Sequence, residues 1–263
     1  MKIDHRFVKL GRTPADLFKV SQHVQARDIF NLSMLPSRPA ARDWGLLNGS
    51  ALLYQMFRNG DLGNCVFASA GNSQITQSAQ SGVEVVITDD EIVDAYCRLG
   101  GYVIGDSSTD NGANMLSVGM RCVSGELIAG RKLIALVAID PRDDEMMVAA
   151  SEFFGGLWLG WDLPLAWQNA DVWDVAPDGS LSGKWQKRSW GGHATHAHAY
   201  SPAINQLTSW MEGKPFTFPA QRTYCEEAYG LLWEGLWTRL EGGLCPPGLD
   251  FQRLLDVGKI VGV

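Results

Sequence analysis

The stretch Asn59-Gly60-Asp61-Leu62-Gly63-Asn64-Cys65-Val66-Phe67-Ala68-Ser69-Ala70 decides how this chain is read. Its first half is turn chemistry, because Asn, Gly and Asp tolerate left-handed backbone and bond to their own main chain. Its second half is a run of small and apolar residues suited to a buried helix. The loop therefore delivers Cys65 to a helix N-terminus. A thiol attacks an acyl carbon as thiolate, and a helix N-terminus is one place where that anion is favoured.

A thiol nucleophile also needs an imidazole to take and return its proton. His193 lies roughly 130 residues downstream, within the range that such pairs use. Its surroundings, Gly191-Gly192-His193-Ala194-Thr195-His196-Ala197-His198-Ala199-Tyr200, alternate with the period of a half-buried strand. On that strand His196 and His198 face one side and His193 the other, so the three imidazoles do not converge as metal ligands. Neither a metal nor another cofactor is expected.

Other elements follow from local chemistry. Thr13-Pro14-Ala15-Asp16 reads as the start of a helix carrying Leu17, Phe18, Val20 and Val24, and Leu35-Pro36-Ser37-Arg38-Pro39-Ala40 is an extended connector. Thr88 and Glu91 form a capping box before Ile92 and Val93. Leu133 to Ile139 is a buried strand closed by Asp140-Pro141, and Asp143-Asp144-Glu145 opens the next helix. A core strand is expected over Phe153 to Gly160. The ten tryptophans, several of them clustered from Trp158 to Trp190, are read first as core and second as a contact surface.

The whole chain sets outer limits. It has 263 residues, 46% hydrophobic and 19% charged, enough for one sizeable core, possibly in two lobes. A net charge of −7 disfavours a sequence-independent grip on nucleic acid or on an anionic membrane surface. No apolar run is long enough to span a bilayer, and no signal peptide is visible. Five cysteines without tight spacing do not make a disulfide framework, which points to a reducing setting, cytoplasmic or virion-associated.

From about Pro36 to about Trp233 these features resemble, in order, the papain-like cysteine peptidases. Asp43-Trp44 is similar to the start of the mature domain, Gly63-Asn64-Cys65 to the nucleophile motif, Asn111-Gly112 to the substrate-binding loop, and Gly192-His193-Ala194 to the histidine strand. Together with Phe154-Gly155-Gly156-Leu157 and Cys225-Glu226-Glu227-Ala228-Tyr229, they resemble a divergent branch found in bacterial and phage genomes. The resemblance implies an α+β, two-lobed fold: a helical lobe headed by the Cys65 helix, a β-rich lobe carrying His193, and a cleft between.

It further implies Cys65 as nucleophile, His193 as acid and base, Asn59 as oxyanion donor, and Thr208 at the place of the residue that orients the imidazole. Asn111, Gly112 and Trp210 would border the substrate, with Trp210 also shielding His193. The chain departs from the family at Leu62 and Val66, where a cysteine and an aromatic are usual, and at Thr208-Ser209-Trp210, where the family has Asn-Ser-Trp. The expected organisation is an N-terminal arm over 1–35, the papain-like domain over 36–241 and a C-terminal tail over 242–263. The expected function is that of a peptidase or amidase acting on a peptide or protein substrate. Transglutamination or deamidation would use the same pair. The alternative is a weakly active or inactive papain-fold protein serving as a structural or adaptor component, for example in a phage particle, through protein partners or self-association.

Overall fold

Helix α2, Cys65–Ser81, is buried along almost its whole length, so its polar residues are spent on tertiary ties rather than on solvent. The computed structural model, which describes residues 4–47, 55–235, 249–250 and 252–254, shows where each tie goes. Ser69 Oγ accepts from the Trp158 indole at 2.7 Å, Ser73 Oγ from the Trp233 indole at 2.9 Å, and Gln74 donates to the Ile128 carbonyl at 2.9 Å. Gln77 donates to the carbonyls of Phe154 and Leu231. A buried polar group left unpaired is costly, so these bonds fix the helix in one rotation and one depth.

The remaining elements surround it. In chain order, the short α1, Leu17–Gln22, and strand β1, Arg42–Asp43, precede α2. Then come α3, Asp89–Ala95, α4, Met115–Val123, the paired strands β2, Leu127–Ile128, and β3, Arg131–Ile139, and α5, Asp144–Phe154. The chain continues through β4, Leu157–Leu163, β5, Gly191–Tyr200, β6, Asn205–Ser209, β7, Glu212–Phe216, α6, Phe218–Tyr224, and β8, Cys225–Trp233. Seven strands form one curled antiparallel sheet in the order β2-β3-β8-β4-β5-β6-β7, and β1 adds to β5.

Two apolar clusters divide the molecule into lobes. One joins α2, α3 and α4, with Phe67, Tyr96, Met115 and Leu136 at its centre. The other fills the curl of the sheet with Trp161, Trp167, Trp173, Phe216 and Tyr224, and α5 and α6 close it. Trp158, Trp161, Trp167 and Trp173 are all almost fully buried, as the core reading of the tryptophans requires.

The local signals map onto these elements. Thr88 and Glu91 complete the capping box of α3, Asp143 caps α5 through the Met146 N–H, and Asp16 caps α1. The strand expected over Phe153 to Gly160 starts later, at Leu157: Phe153 and Phe154 end α5, and Gly155 at φ 68° terminates it in the left-handed conformation.

The segment read as an arm is built into the domain. Ala26, Ile29 and Phe30 are buried in the second cluster, and Gln25 bridges to Ala138. Of the tail over 242–263, only 249–250 and 252–254 are described: Leu249 bridges Phe30, and Leu254 is buried beside it. Among the described residues, Cys65, Cys97, Cys122 and Cys225 are free thiols, while Cys245 lies outside them. Among the same residues no helix is long and apolar enough to cross a membrane.

Candidate active site

The loop before Cys65 is tied down by backbone and side chain together. Asn64, fully buried, donates its amide to the Phe57 carbonyl at 2.8 Å, and Asn59 donates to the Leu62 carbonyl at 3.1 Å. Asp110 holds the loop from outside, accepting from the Gly63 N–H at 2.9 Å, the Tyr96 hydroxyl at 2.7 Å and the Lys9 ammonium at 2.6 Å. Burial alone would raise the Asp110 carboxyl; the three donors outweigh it and hold the group below the usual carboxylate range. Cys65 thus emerges at the first turn of α2, where free backbone N–H groups favour an anion.

His193 reaches the same place from β5. Cys65, His193, Ala194, Asn59, Thr208, Ser209 and Trp210 line one small cavity of about 10 Å³, room for one water at most. Trp210 stacks on the imidazole with centroids 4.1 Å apart and planes at 14°. The stack has a backbone cause. β6 and β7 are joined by the two-residue turn Trp210-Met211, with φ of 47° and 62°, the signs that a type I′ hairpin turn needs. Neither residue favours that region, at a cost of about 1–2 kcal/mol each. Burial of Trp210 against His193 sustains it.

The hydroxyl that reaches the imidazole is Ser209, not Thr208. Ser209 Oγ lies 2.8 Å from His193 Nε2, while Thr208 Oγ1 is buried without a hydrogen-bond partner. The reason is strand alternation: Thr208 pairs with His196 across β5 and β6, so its neighbour Ser209 faces the His193 side. The other two histidines of β5 point elsewhere, His196 Nε2 to Thr76 at 3.1 Å and His198 Nδ1 to Asp43 at 3.0 Å. Among the described residues no set of His, Cys, Asp and Glu converges as a metal site.

Cys65 Sγ accepts from the Ala194 N–H at 3.4 Å, and His193 Nδ1 has no hydrogen-bond partner. Burial pushes the Cys65 thiol up, against the pull of the Ala194 and Gly11 N–H groups and of Arg12. Burial also lowers His193 to about 3, helped by the nearby charge of Arg12 and His5. The pair is a neutral thiol and a neutral imidazole, not an ion pair.

What seals it is the N-terminal segment, an occupant that no local sequence signal announced. Gly11 lies against Gly63, and its carbonyl accepts from the Ala113 N–H at 2.7 Å, while the Thr13 N–H donates to the Ala113 carbonyl at 3.0 Å. The Arg12 N–H donates to the Gly192 carbonyl at 3.1 Å, immediately before His193. Gly112, at φ 74°, faces Gly11 so closely that a Cβ at either position would meet backbone. Asn111, by contrast, is exposed, with its side-chain amide donating to the Ser108 carbonyl and its backbone N–H to the Thr109 carbonyl. The Arg12 side chain runs into the second lobe, where Glu227, Glu226 and Asp162 accept at 2.7, 2.8 and 2.7 Å.

No protein-family profile matches the sequence, and no curated protein resembles it closely enough to count as a relative. Solved structures do match. Xylellain, a cysteine protease from Xylella fastidiosa, has a TM-score of 0.59 at 13% identity, covering 86% of this chain and 95% of its own. Digestive procathepsin L2 proteinase from Tenebrio molitor larval midgut has a TM-score of 0.57 at 12% identity, covering 86% of this chain and 78% of its own. The cysteine protease and lectin-like domains of Cwp84 from Clostridium difficile give 0.51 at 9% identity, over 75% of this chain and 52% of that one. With a helical lobe headed by the Cys65 helix, a curled antiparallel β lobe carrying His193 and these neighbours, the chain has the two-lobed papain-like fold.

Proposed function

We propose that the protein is a cysteine peptidase or amidase whose cleft is occupied, in the state described, by its own residues 9–13. The observation that carries this reading is the meeting of Cys65, at the head of α2, with His193, whose Nε2 is held by Ser209 and whose Nδ1 is left free of any partner. With Nε2–H donating to Ser209 Oγ, Nδ1 carries the lone pair and serves as the base. Once the arm is displaced, water and substrate enter. Nδ1 then takes the thiol proton, Cys65 Sγ attacks the amide carbon, and the protonated imidazole returns the proton to the leaving amine. The Cys65 N–H and the Asn59 amide, which lines the same cavity and gives one N–H to the Leu62 carbonyl, are the donors for the developing oxyanion in this reading. Water then releases the acyl group from sulfur, with the same imidazole as base.

A second reading, a papain-fold protein that binds partners without catalysis, is favoured by the sealed cavity. Labelling with iodoacetamide at pH 5 separates the two. In the full chain carrying Arg12→Ala, which releases the anchor of the arm, the peptidase reading expects alkylation confined to Cys65 and lost when His193→Ala is added. Slow alkylation of several cysteines, indifferent to His193, would leave the non-catalytic reading standing.

A further inference from the structure

The arm is bound in the cleft as a peptide is bound. Its main chain bonds to Ala113 on one lobe and to Gly192 on the other, one residue from His193, and Gly11 lies over the loop that carries Cys65. A peptide segment seated beside the reactive pair shows which side chain the adjoining pocket receives, and that side chain is an arginine.

The pocket fits a guanidinium closely. Arg12 Nη1 meets Glu227 at 2.7 Å and Glu226 at 2.8 Å, Nη2 meets Asp162 at 2.7 Å, and Nε and Nη2 both donate to the Trp161 carbonyl. The fork is thereby engaged along both edges, a geometry that the point charge of a lysine does not reproduce. Tyr229 donates to the second Glu227 oxygen at 2.7 Å, and Arg188 donates at 2.7 Å to the same Asp162 Oδ1 that accepts from Arg12, so Glu227 and Asp162 are also held by groups other than Arg12. Gly160 on β4 leaves the channel for the arginine stem: a Cβ there would stand 3.0 Å from Arg12 Cδ and 2.6 Å from Glu227 Cγ. The chain supplies three carboxylates from two neighbouring strands, Glu226 and Glu227 on β8 and Asp162 on β4. Burying such charges without a cation costs more than any apolar filling would, so the pocket is built around its cation rather than for stability.

We infer that this pocket is a substrate-specificity site, and that the cleft selects peptides presenting an arginine at the place Arg12 now holds, with Glu227, Glu226 and Asp162 as the specificity-determining residues. The inference rests on the peptidase reading of Cys65 and His193 for turnover, but not for binding. A substrate then competes with the arm for the same carboxylates, which makes the arm a reversible occupant.

The test uses the full chain with Arg12→Ala and four peptides identical except for Arg, Lys, Leu or Glu at one central position. Binding is measured on the Arg12→Ala, Cys65→Ala chain and cleavage on Arg12→Ala alone. The arginine peptide is expected to bind about tenfold or more tightly than the leucine and glutamate peptides, with lysine between, and Glu227→Gln is expected to abolish the preference. Equal affinities, or preference for leucine, would overturn the assignment. Arginine-selective binding without cleavage would support the pocket and remove the peptidase reading; cleavage indifferent to arginine would do the reverse. Because Arg12→Ala leaves buried carboxylates without their cation, the same peptides are run on full-length Gly11→Ala. There Arg12 remains and the added Cβ loosens its seat, and the same order of affinities is expected.

Discussion

His193 is gripped at one edge by Ser209 Oγ and on one face by Trp210, and its Nδ1 is left without a hydrogen-bond partner. Removing the serine hydroxyl leaves both ring nitrogens unsatisfied in a buried site. Ser209→Ala is therefore expected to destabilise the protein by about 1–3 kcal/mol, whereas Thr208→Ala, losing a hydroxyl already without a partner, should cost about 1 kcal/mol for its methyl group. Urea unfolding of the two variants checks this, and a larger loss for Thr208→Ala would contradict the assignment of the orienting hydroxyl. Motif matching pointed to Thr208 and not to Ser209, whose hydroxyl reaches the imidazole, because it fixes order and not the face of a strand. A single-residue offset in β6 exchanges the His196 side for the His193 side. That Cys65 and His193 would line one cavity was legible, since each carries a local signal, a Gly-Asn turn before a helix and an alternating strand.

At the level of elements, the segment from Lys9 to Thr13 is held by close backbone approach as much as by charge. Gly11 sits where any Cβ would collide with the Gly63 main chain. Gly11→Ala is expected to unseat the segment. An overpacking cost of about 1–3 kcal/mol translates into roughly a five- to 150-fold rise in the open population, read as faster iodoacetamide labelling of Cys65 under native conditions. Labelling at the wild-type rate would mean that this segment does not gate the thiol. The strap was illegible because Gly11-Arg12-Thr13 has no periodicity or cap to mark it, and its partners, Gly63, Ala113, Gly192 and Glu227, are distant in sequence. One sign was available: Glu226-Glu227 interrupts a strand that otherwise reads as core, and a buried acidic pair requires a cation from somewhere. The capped helices α3 and α5 and the strand β3 were legible for the opposite reason, since their determinants lie within a few residues.

Across the whole molecule, the two lobes meet through buried imidazoles, and this gives the fold a particular response to acid. His193 lies between Ser209 and Trp210, with Arg12 and His5 as the nearby positive charges, and His196 ties β5 to Thr76 of α2 with His198 beside it. Burial, followed by those neighbouring charges, lowers both to about 3. In the unfolded chain each would take a proton near pH 6.5, about the ordinary imidazole value. The unfolded state therefore binds more protons over that whole interval. Stability contributed by the two neutral rings is complete above about pH 7 and falls as the pH drops toward 3, by up to about 1.4 kcal/mol per pH unit for each ring. Asp110, held below the usual carboxylate range by Lys9, Tyr96 and Gly63 against the push of burial, adds its own loss only below about pH 4. Urea midpoints measured at pH 7.5, 6, 5 and 4 should decline steadily, beginning above the carboxylate range. His196→Asn should lower stability at every pH while reducing the slope between pH 6 and pH 4, to which His5 and His23, also lowered by burial, contribute as well. A midpoint that stays level down to pH 4 and then collapses would assign acid unfolding to the carboxylates, and would mean that the histidines between the lobes are open to protonation in the folded state.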